Sequence, residues 1–389
     1  MMLDYGVKVQ ELPIEYPKIP KERIDGVLLS HAHLDHSGAI PVLFKRGKPA
    51  FFATEPTISL SSMLIEDSIK IAKKNKERIP FSKVDLKKAI RNSITKNYNE
   101  RFRLNHTYIE FFDAGHIPGS SSIMIDGKKR IMYTGDIKLN PTHLLAGCLP
   151  PKNVDILITE STYAGQRHPK REKEEERFRK KIDESLSQNR LTLVPSFAVG
   201  RAQEILLILE DYASSLYIDG MAKKATEIIS YYRNYIRDNK KLKHIMKKIN
   251  WIGTNQERDK IIRKGGIVIT TAGMLGGGPI VYFIRQVYND PSVKILMTGF
   301  QVEDTPGYQL LKTGTFRING ENKKVNCEIE KFDFSAHADD AELQQIIKYV
   351  NPEKVICVHG DNCAGFAKEL RKKFDIETFA PKINDILNF

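Results

Sequence analysis

The sequence predicts an α/β protein of layered sheets with helices on their faces, and three observations carry that expectation. Short apolar, largely β-branched runs recur along the chain, longer segments with helical spacing alternate with them, and no repeat or low-complexity linker breaks the alternation. Residues 26–30 read Gly-Val-Leu-Leu-Ser, an apolar run bounded by a turn-forming glycine, and so a buried strand. The segment 58–74 repeats apolar residues every three to four positions and reads as a helix. Strand runs follow at 130–133 and 155–159, then a helical segment at 172–187. Further on come strands at 191–195, 266–271, 294–298 and 354–358, with helices at 202–212, 221–237 and 341–350. The charged stretch 170–181 is either a hinge or a solvated helix. Phe178, Ile182 and Leu186 recur at helical spacing and favour the helix, at a domain junction. A chain of 389 residues exceeds one compact core, so two or three domains are expected.

Composition narrows the setting. Hydrophobic residues at 41% and charged residues at 28% suit a globular protein. No apolar run approaches the ~18 residues of a membrane span. Residues 1–10 lack the basic and apolar segments of a secretory signal, so a cytoplasmic protein is expected. Cys148, Cys327, Cys357 and Cys363 show no CxxC spacing and read as reduced thiols. An excess of 61 Lys+Arg over 48 Asp+Glu, a net charge of +13, favours polyanionic partners.

The strongest chemical signal is His31-Ala-His33-Leu-Asp35-His36, directly after the run 26–30. Four potential ligands within one loop exceed what a single structural zinc draws from a short segment, and can face two adjacent metal positions. This HxHxDH pattern resembles the metal-binding signature of the metallo-β-lactamase superfamily, and its companion motifs follow in order. Asp4 in Leu-Asp-Tyr-Gly, His116 in Gly-His-Ile-Pro-Gly-Ser and Asp136 in Tyr-Thr-Gly-Asp match the first, third and fourth motifs. Glu160 in Thr-Glu-Ser-Thr-Tyr, His337 in Phe-Ser-Ala-His-Ala-Asp and His359 in Val-His-Gly-Asp match the three further motifs of the β-CASP nucleases. Within that group the chain is similar to archaeal homologues of the cleavage and polyadenylation specificity factor nuclease subunit, without their KH domains, and more distantly to RNase J.

The resemblance implies a four-layer αββα lactamase fold over 1–180 and 315–389, with an α/β β-CASP domain inserted at 181–314. It implies two Zn2+ ions, one on His31, His33 and His116, the other on Asp35, His36 and His359, with Asp136 bridging. Asp4 holds the metal-binding loop from behind, Asp35 also orients the attacking water, and His337, supported by Glu160, is the general acid. The substrate implied is single-stranded RNA, since the histidine at 359 is the one that DNA-acting members tend to lack. Around the centre, the turn at Ser120 and Ser121 is either a phosphate contact or a plain turn. Phe197 either stacks on a base or packs in the core, and Arg201 contacts the RNA backbone. Gly276, Gly277 and Gly278, between a strand and a helix, form either a phosphate nest or a hinge. His106, His143, His168 and His244 are assigned to surface or packing roles. Relatives carry one or two strands ahead of Leu-Asp-Tyr-Gly, so either the true start lies upstream of Met1 or the first hairpin is missing, and a protein beginning at Met1 is expected to expose sheet edge and be less stable than one extended upstream. A homodimer through the C-terminal region is also implied. Three other readings compete: hydrolysis of a small thioester or lactam on the same scaffold, a non-catalytic RNA-binding subunit, and a DNA nuclease, since phosphate contacts do not read the 2′-hydroxyl.

Overall fold

Each of the seven apolar runs forms a strand, and each of the five segments with helical spacing forms a helix. Helix Arg201–Ile208 gives way to a 3-10 turn at Glu210–Ser215, and Met221–Tyr231 to another at Arg233–Tyr235, so both stop short of the expected ends. The structure, a computed structural model, describes residues 1–8 and 14–389. Residues 9–13, which include part of the start read for a signal, lie outside it. The chain divides into two compact units, Met1–Arg167 with Ala336–Phe389, and His168–Ser335.

The first unit has four layers. Strands Met2–Leu3, Gly26–Leu28, Ala50–Ala53 and Ser93–Thr95 form a parallel sheet in that order. A seven-stranded sheet runs from Glu377–Phe379 through Lys354–Val358, Ile156–Glu160, Arg130–Tyr133, Ser121–Asp126 and Thr107–Asp113 to Phe102–Leu104. The two-residue side-chain period of a strand sorts the core into three layers. Val27, Leu29, Phe51 and Ala53 face Ile40, Phe44, Ile65, Ile69 and Leu86 of the flanking helices. Between them in sequence, Leu28 and Phe52 turn the other way, onto Phe102, Ile109, Phe111 and Ile123 of the larger sheet. On that sheet's far side Met124, Met132, Leu157, Val355 and Cys357 pack against Leu343, Ile346, Ile347, Phe366 and Leu370 of the C-terminal helices. This is the αββα order expected.

The second unit is a parallel six-stranded sheet in the order Asn250–Trp251, Leu216–Asp219, Gly266–Thr270, Leu191–Pro195, Lys294–Met297, Glu328–Lys331. Its central strands are buried on both faces, which is why they read as mainly apolar runs without alternation. The unit extends past the expected 181–314 at both ends, for identifiable reasons. Helix Arg171–Leu186 buries Phe178, whose ring meets Phe332 and Phe334 edge-on at 5.0 and 5.2 Å. Strand Glu328–Lys331 pairs along Lys294–Met297, and Phe316 and Ile318 join the same core. The charged stretch is therefore a helix of this unit, with one face buried. Among the described residues no helix is long and apolar enough to cross a membrane.

Candidate metal centre

Topology brings the chemistry of the first unit together. Arg130–Tyr133, Ile156–Glu160 and Lys354–Val358 are neighbours running parallel, so the segments leaving their carboxyl ends share one edge of the sheet. Those segments carry Asp136, Glu160 and His359. Strand Gly26–Leu28 delivers His31 and His33, and the short helix Leu34–Ser37 carries Asp35 and His36. Thr107–Asp113 leads into the turn holding His116.

Asp136 lies at the centre. Its Oδ2 is 3.4 Å from His31 Nε2 and 3.6 Å from His116 Nε2, and its Oδ1 is 3.3 Å from His36 Nε2 and 3.4 Å from His359 Nε2. His116 Nε2 lies 3.1 Å from His33 Nδ1, and Asp35 Oδ2 lies 3.9 Å from His359 Nε2. Ligand atoms of His31, His33, His116 and Asp136 fall within 4.8 Å of one another, as do those of His36, Asp136 and His359, and those of His31, Asp35 and His36. His31 Nε2, His36 Nε2 and Asp136 Oδ1 are buried and make no hydrogen bond. Buried polar atoms without partners are costly and rare, and three aimed at one point fit a cation. Asp35 and His359 are 38% and 36% exposed, so the cluster is open on their side.

Protonation supports the same fit. Burial, reinforced by neighbouring imidazoles, holds His31 below the usual range, His116 well below it, and His33 at about 3. These three are neutral, the form that ligates metal. Burial opposes ionisation of Asp136, but His36, His359 and His31 together keep its carboxyl well below the usual range. For His36 burial is likewise outweighed, by Asp136 and Asp4, and its pKa is raised well above the ordinary value. Its proton must leave when a metal binds.

Asp4 is bonded to this loop and to the neighbouring strand. Its carboxylate accepts from Ser30 N (2.6 Å), Ser30 Oγ (2.6 Å) and Tyr133 Oη (2.7 Å), and meets His36 Nδ1 at 2.7 Å. That leaves His36 Nε2 for the centre. Asp4 sits at φ 55° and His359 at φ 51°, left-handed conformations that cost a non-glycine residue on the order of 1 kcal/mol. Ser161 N and Thr162 Oγ1 both donate to the His359 carbonyl, at 3.1 and 3.3 Å, and hold it there.

Ser120 and Ser121 form part of the turn itself. Both are buried, at 1% and 0% exposure, and Ser120 Oγ accepts from His116 N (3.1 Å) and Ile117 N (3.2 Å). Ser121 N donates to Ser30 O at 2.7 Å. Turned inward, they shape the His116 turn instead of presenting hydroxyls to phosphate. Just before it, Asp113 Oδ1 accepts from Gly115 N at 2.8 Å, yet burial pushes this carboxyl up to about 6. A folded pKa above the unfolded value means that stability from this group is present at low pH and lost as pH rises from about 4 to about 6. Asp113→Asn keeps the acceptor for Gly115. It is expected to raise unfolding free energy by roughly 1–3 kcal/mol at pH 8, with a smaller gain at pH 5, as measured by urea denaturation.

His337 faces the cluster from the other side. Its Nδ1 is 3.0 Å from Glu160 Oε2 and 3.9 Å from Asp136 Oδ2, and the second oxygen of Glu160 accepts from Ile137 N at 2.5 Å. Burial alone would lower its pKa. Glu160, Asp136 and Asp35 outweigh burial and hold it at about 9, so it carries a proton at neutral pH.

The remaining candidates lie in the second unit. Phe197 is half-buried, its ring against Gly299 and Gly273, and Arg201 opens helix Arg201–Ile208 at 9% exposure. Gly276 and Gly277 have open space where a side chain would stand, and Gly278 (φ 74°) caps helix Pro279–Val287. Of the histidines set aside, His168 is engaged: its Nδ1 meets Asp333 Oδ2 at 2.8 Å. Ser30 and Tyr133 went unread in the sequence. Their signal was position, one residue before HxHxDH and three before Asp136.

Comparison with known proteins agrees with this geometry. The family model described as "Zn-dependent metallo-hydrolase RNA specificity domain" matches residues 322–381, the "Beta-Casp domain" model matches 202–310, and the "Anti-Pycsar protein Apyc1" model matches 1–168. Over 99% of its length the chain is 40% identical to Probable RNase MJ4 of Methanocaldococcus jannaschii, covering 93% of that protein. It is 31% identical to RNase aCSPSF2 of Saccharolobus solfataricus over 98% of this chain and 79% of that one. It is 34% identical to transcription termination factor FttA of Thermococcus kodakarensis over all of this chain and 67% of that one. A crystal structure from Enterococcus faecalis V583, described as a protein of unknown function, superposes with a TM-score of 0.58 over 95% of this chain and 82% of that one. At 15% identity it shows shared fold alone.

Proposed function

The chain belongs to the β-CASP ribonucleases of the metallo-β-lactamase superfamily, of the archaeal type related to the cleavage and polyadenylation specificity factor nuclease, and on that premise we propose that it hydrolyses phosphodiester bonds of single-stranded RNA with two zinc ions. The observation that carries this reading is the convergence of seven donor residues, six of them around Asp136, with three buried, unbonded ligand atoms among the seven. His31, His33 and His116 would hold one ion and Asp35, His36 and His359 the other, with Asp136 shared. When bound, the ions supply positive charge against the phosphate oxygens and acidify a water.

The chain's own groups do the rest. Asp35, partly open to solvent, orients the attacking water. Glu160 occupies His337 Nδ1, so the proton delivered to the leaving oxygen comes from Nε2. In this reading the open space at Gly276 and Gly277, with Phe197, contacts RNA, while Arg201, only 9% exposed, offers it little surface. A homodimer through the C-terminal region is part of the reading too, since Ile383 and Ile386 stand 92% and 84% exposed.

The test is digestion of single-stranded RNA labelled at its 5′ end, beside the same strand as DNA, with a chelator control. Internal RNA fragments that vanish with chelator support an endoribonuclease. Labelled mononucleotide alone would make it a 5′ exonuclease. No cleavage by protein shown to contain zinc would overturn the reading.

A further inference from the structure

Lys138 is 10% exposed at its side chain, and its ammonium lies 2.7 Å from Glu342 Oε2, itself 6% exposed. Lysine is almost never buried unless paired. Replacing such a pair by apolar residues is often neutral or stabilising, so its presence calls for a reason other than stability.

Its surroundings supply one. Lys138 lies two residues after Asp136, and its backbone is held on both sides: N donates to Ala114 O at 2.8 Å and O accepts from Cys148 N at 2.8 Å. Ile137, between them, donates to Glu160 and accepts from Ala338 N at 2.6 Å, the residue after His337. Glu342 opens the helix that follows His337. It accepts from Asp339 N (3.1 Å), closing a capping box, and from Asn140 N (3.0 Å). One carboxylate thus ties the segment leaving Asp136 to the segment leaving His337.

We propose that the Lys138–Glu342 pair is a positioning device that sets His337 against Asp136 and Glu160. It touches neither substrate nor metal. The proposal rests on the roles read above for Asp136 and His337.

The test compares wild type with Lys138→Met, with the double variant Lys138→Met/Glu342→Gln and with Lys138→Arg. The single variant leaves a carboxylate buried without its cation and is expected to melt lower. The double variant removes both charges and is expected to recover the wild-type melting temperature. For the double variant, zinc content and KM should be unchanged, while kcat falls about 10–100-fold, as when supporting contacts of a metal site are lost. Lys138→Arg should recover most of that loss. The imidazole N–H resonance of the His337–Glu160 hydrogen bond, assigned by its disappearance in His337→Ala, should shift or broaden in the double variant, also in metal-free protein. A double variant with wild-type kcat and an unmoved resonance would overturn the proposal, as would a kcat loss explained entirely by lost zinc. If wild type cleaves no RNA, the functional reading fails, and the resonance alone decides the positioning role.

Discussion

Asp136→Ala is expected to remove bound zinc and RNA cleavage together. Its two oxygens divide the cluster between them, Oδ2 facing His31, His116 and His337, Oδ1 facing His36 and His359, at 3.3–3.9 Å throughout. His31 also lies within reach of both sets, but it brings no charge to either. Without Asp136, two groups of imidazoles lose their common counter-charge, and metal binding would have to overcome like-charge repulsion with one ligand fewer. Zinc per chain should fall below half its wild-type value by elemental analysis. Cleavage should drop to the level left by chelator, a loss on the order of 10⁴-fold or more given what such enzymes contribute. Full zinc occupancy in the variant would remove Asp136 from its bridging role.

His337→Ala separates chemistry from binding. The side chain reaches Glu160 and faces Asp136, but the two sets of metal-holding atoms are complete without it. Zinc content should hold, while RNA cleavage falls roughly 10²–10⁴-fold, the range of a lost general acid. A leaving group that is already a stable anion needs no proton. With bis-p-nitrophenyl phosphate the same variant should therefore lose much less. Equal losses on both substrates would count against proton donation and leave His337 a purely electrostatic contributor.

The cluster was legible because its chemistry is concentrated: His31, His33, Asp35 and His36 share six residues, and each distant partner sits in a recognisable motif. Central strands of the second unit were legible because burial on both faces leaves mostly apolar residues. The antiparallel strands from Phe102 to Asp126 were harder, since they mix exposed and buried positions. Ser120 and Ser121 illustrate what spacing cannot carry: a hydroxyl beside a ligand looks the same whether it turns outward to phosphate or inward to the His116 amide. Lys138 was invisible for another reason. Among 61 basic residues nothing in its neighbours marks it as buried, and its partner lies about 200 residues away. The extent of the second unit was harder to read, because spacing marks Arg171–Leu186 as a helix but does not show that Phe178 packs on Phe332 and Phe334.

The interruption of the first unit also dictates a timetable. Strand Ile156–Glu160 waits for Lys354–Val358 to complete its pairing, and the second unit is made entirely in between. At typical rates of about 5–20 residues per second, roughly 190 residues of synthesis hold that edge open for on the order of 10–40 s. His359 arrives after the same delay, with the strand that delivers it. A growing chain on the ribosome thus holds an incomplete set of metal donors until synthesis is nearly finished, and a truncated product ending before that strand lacks His359.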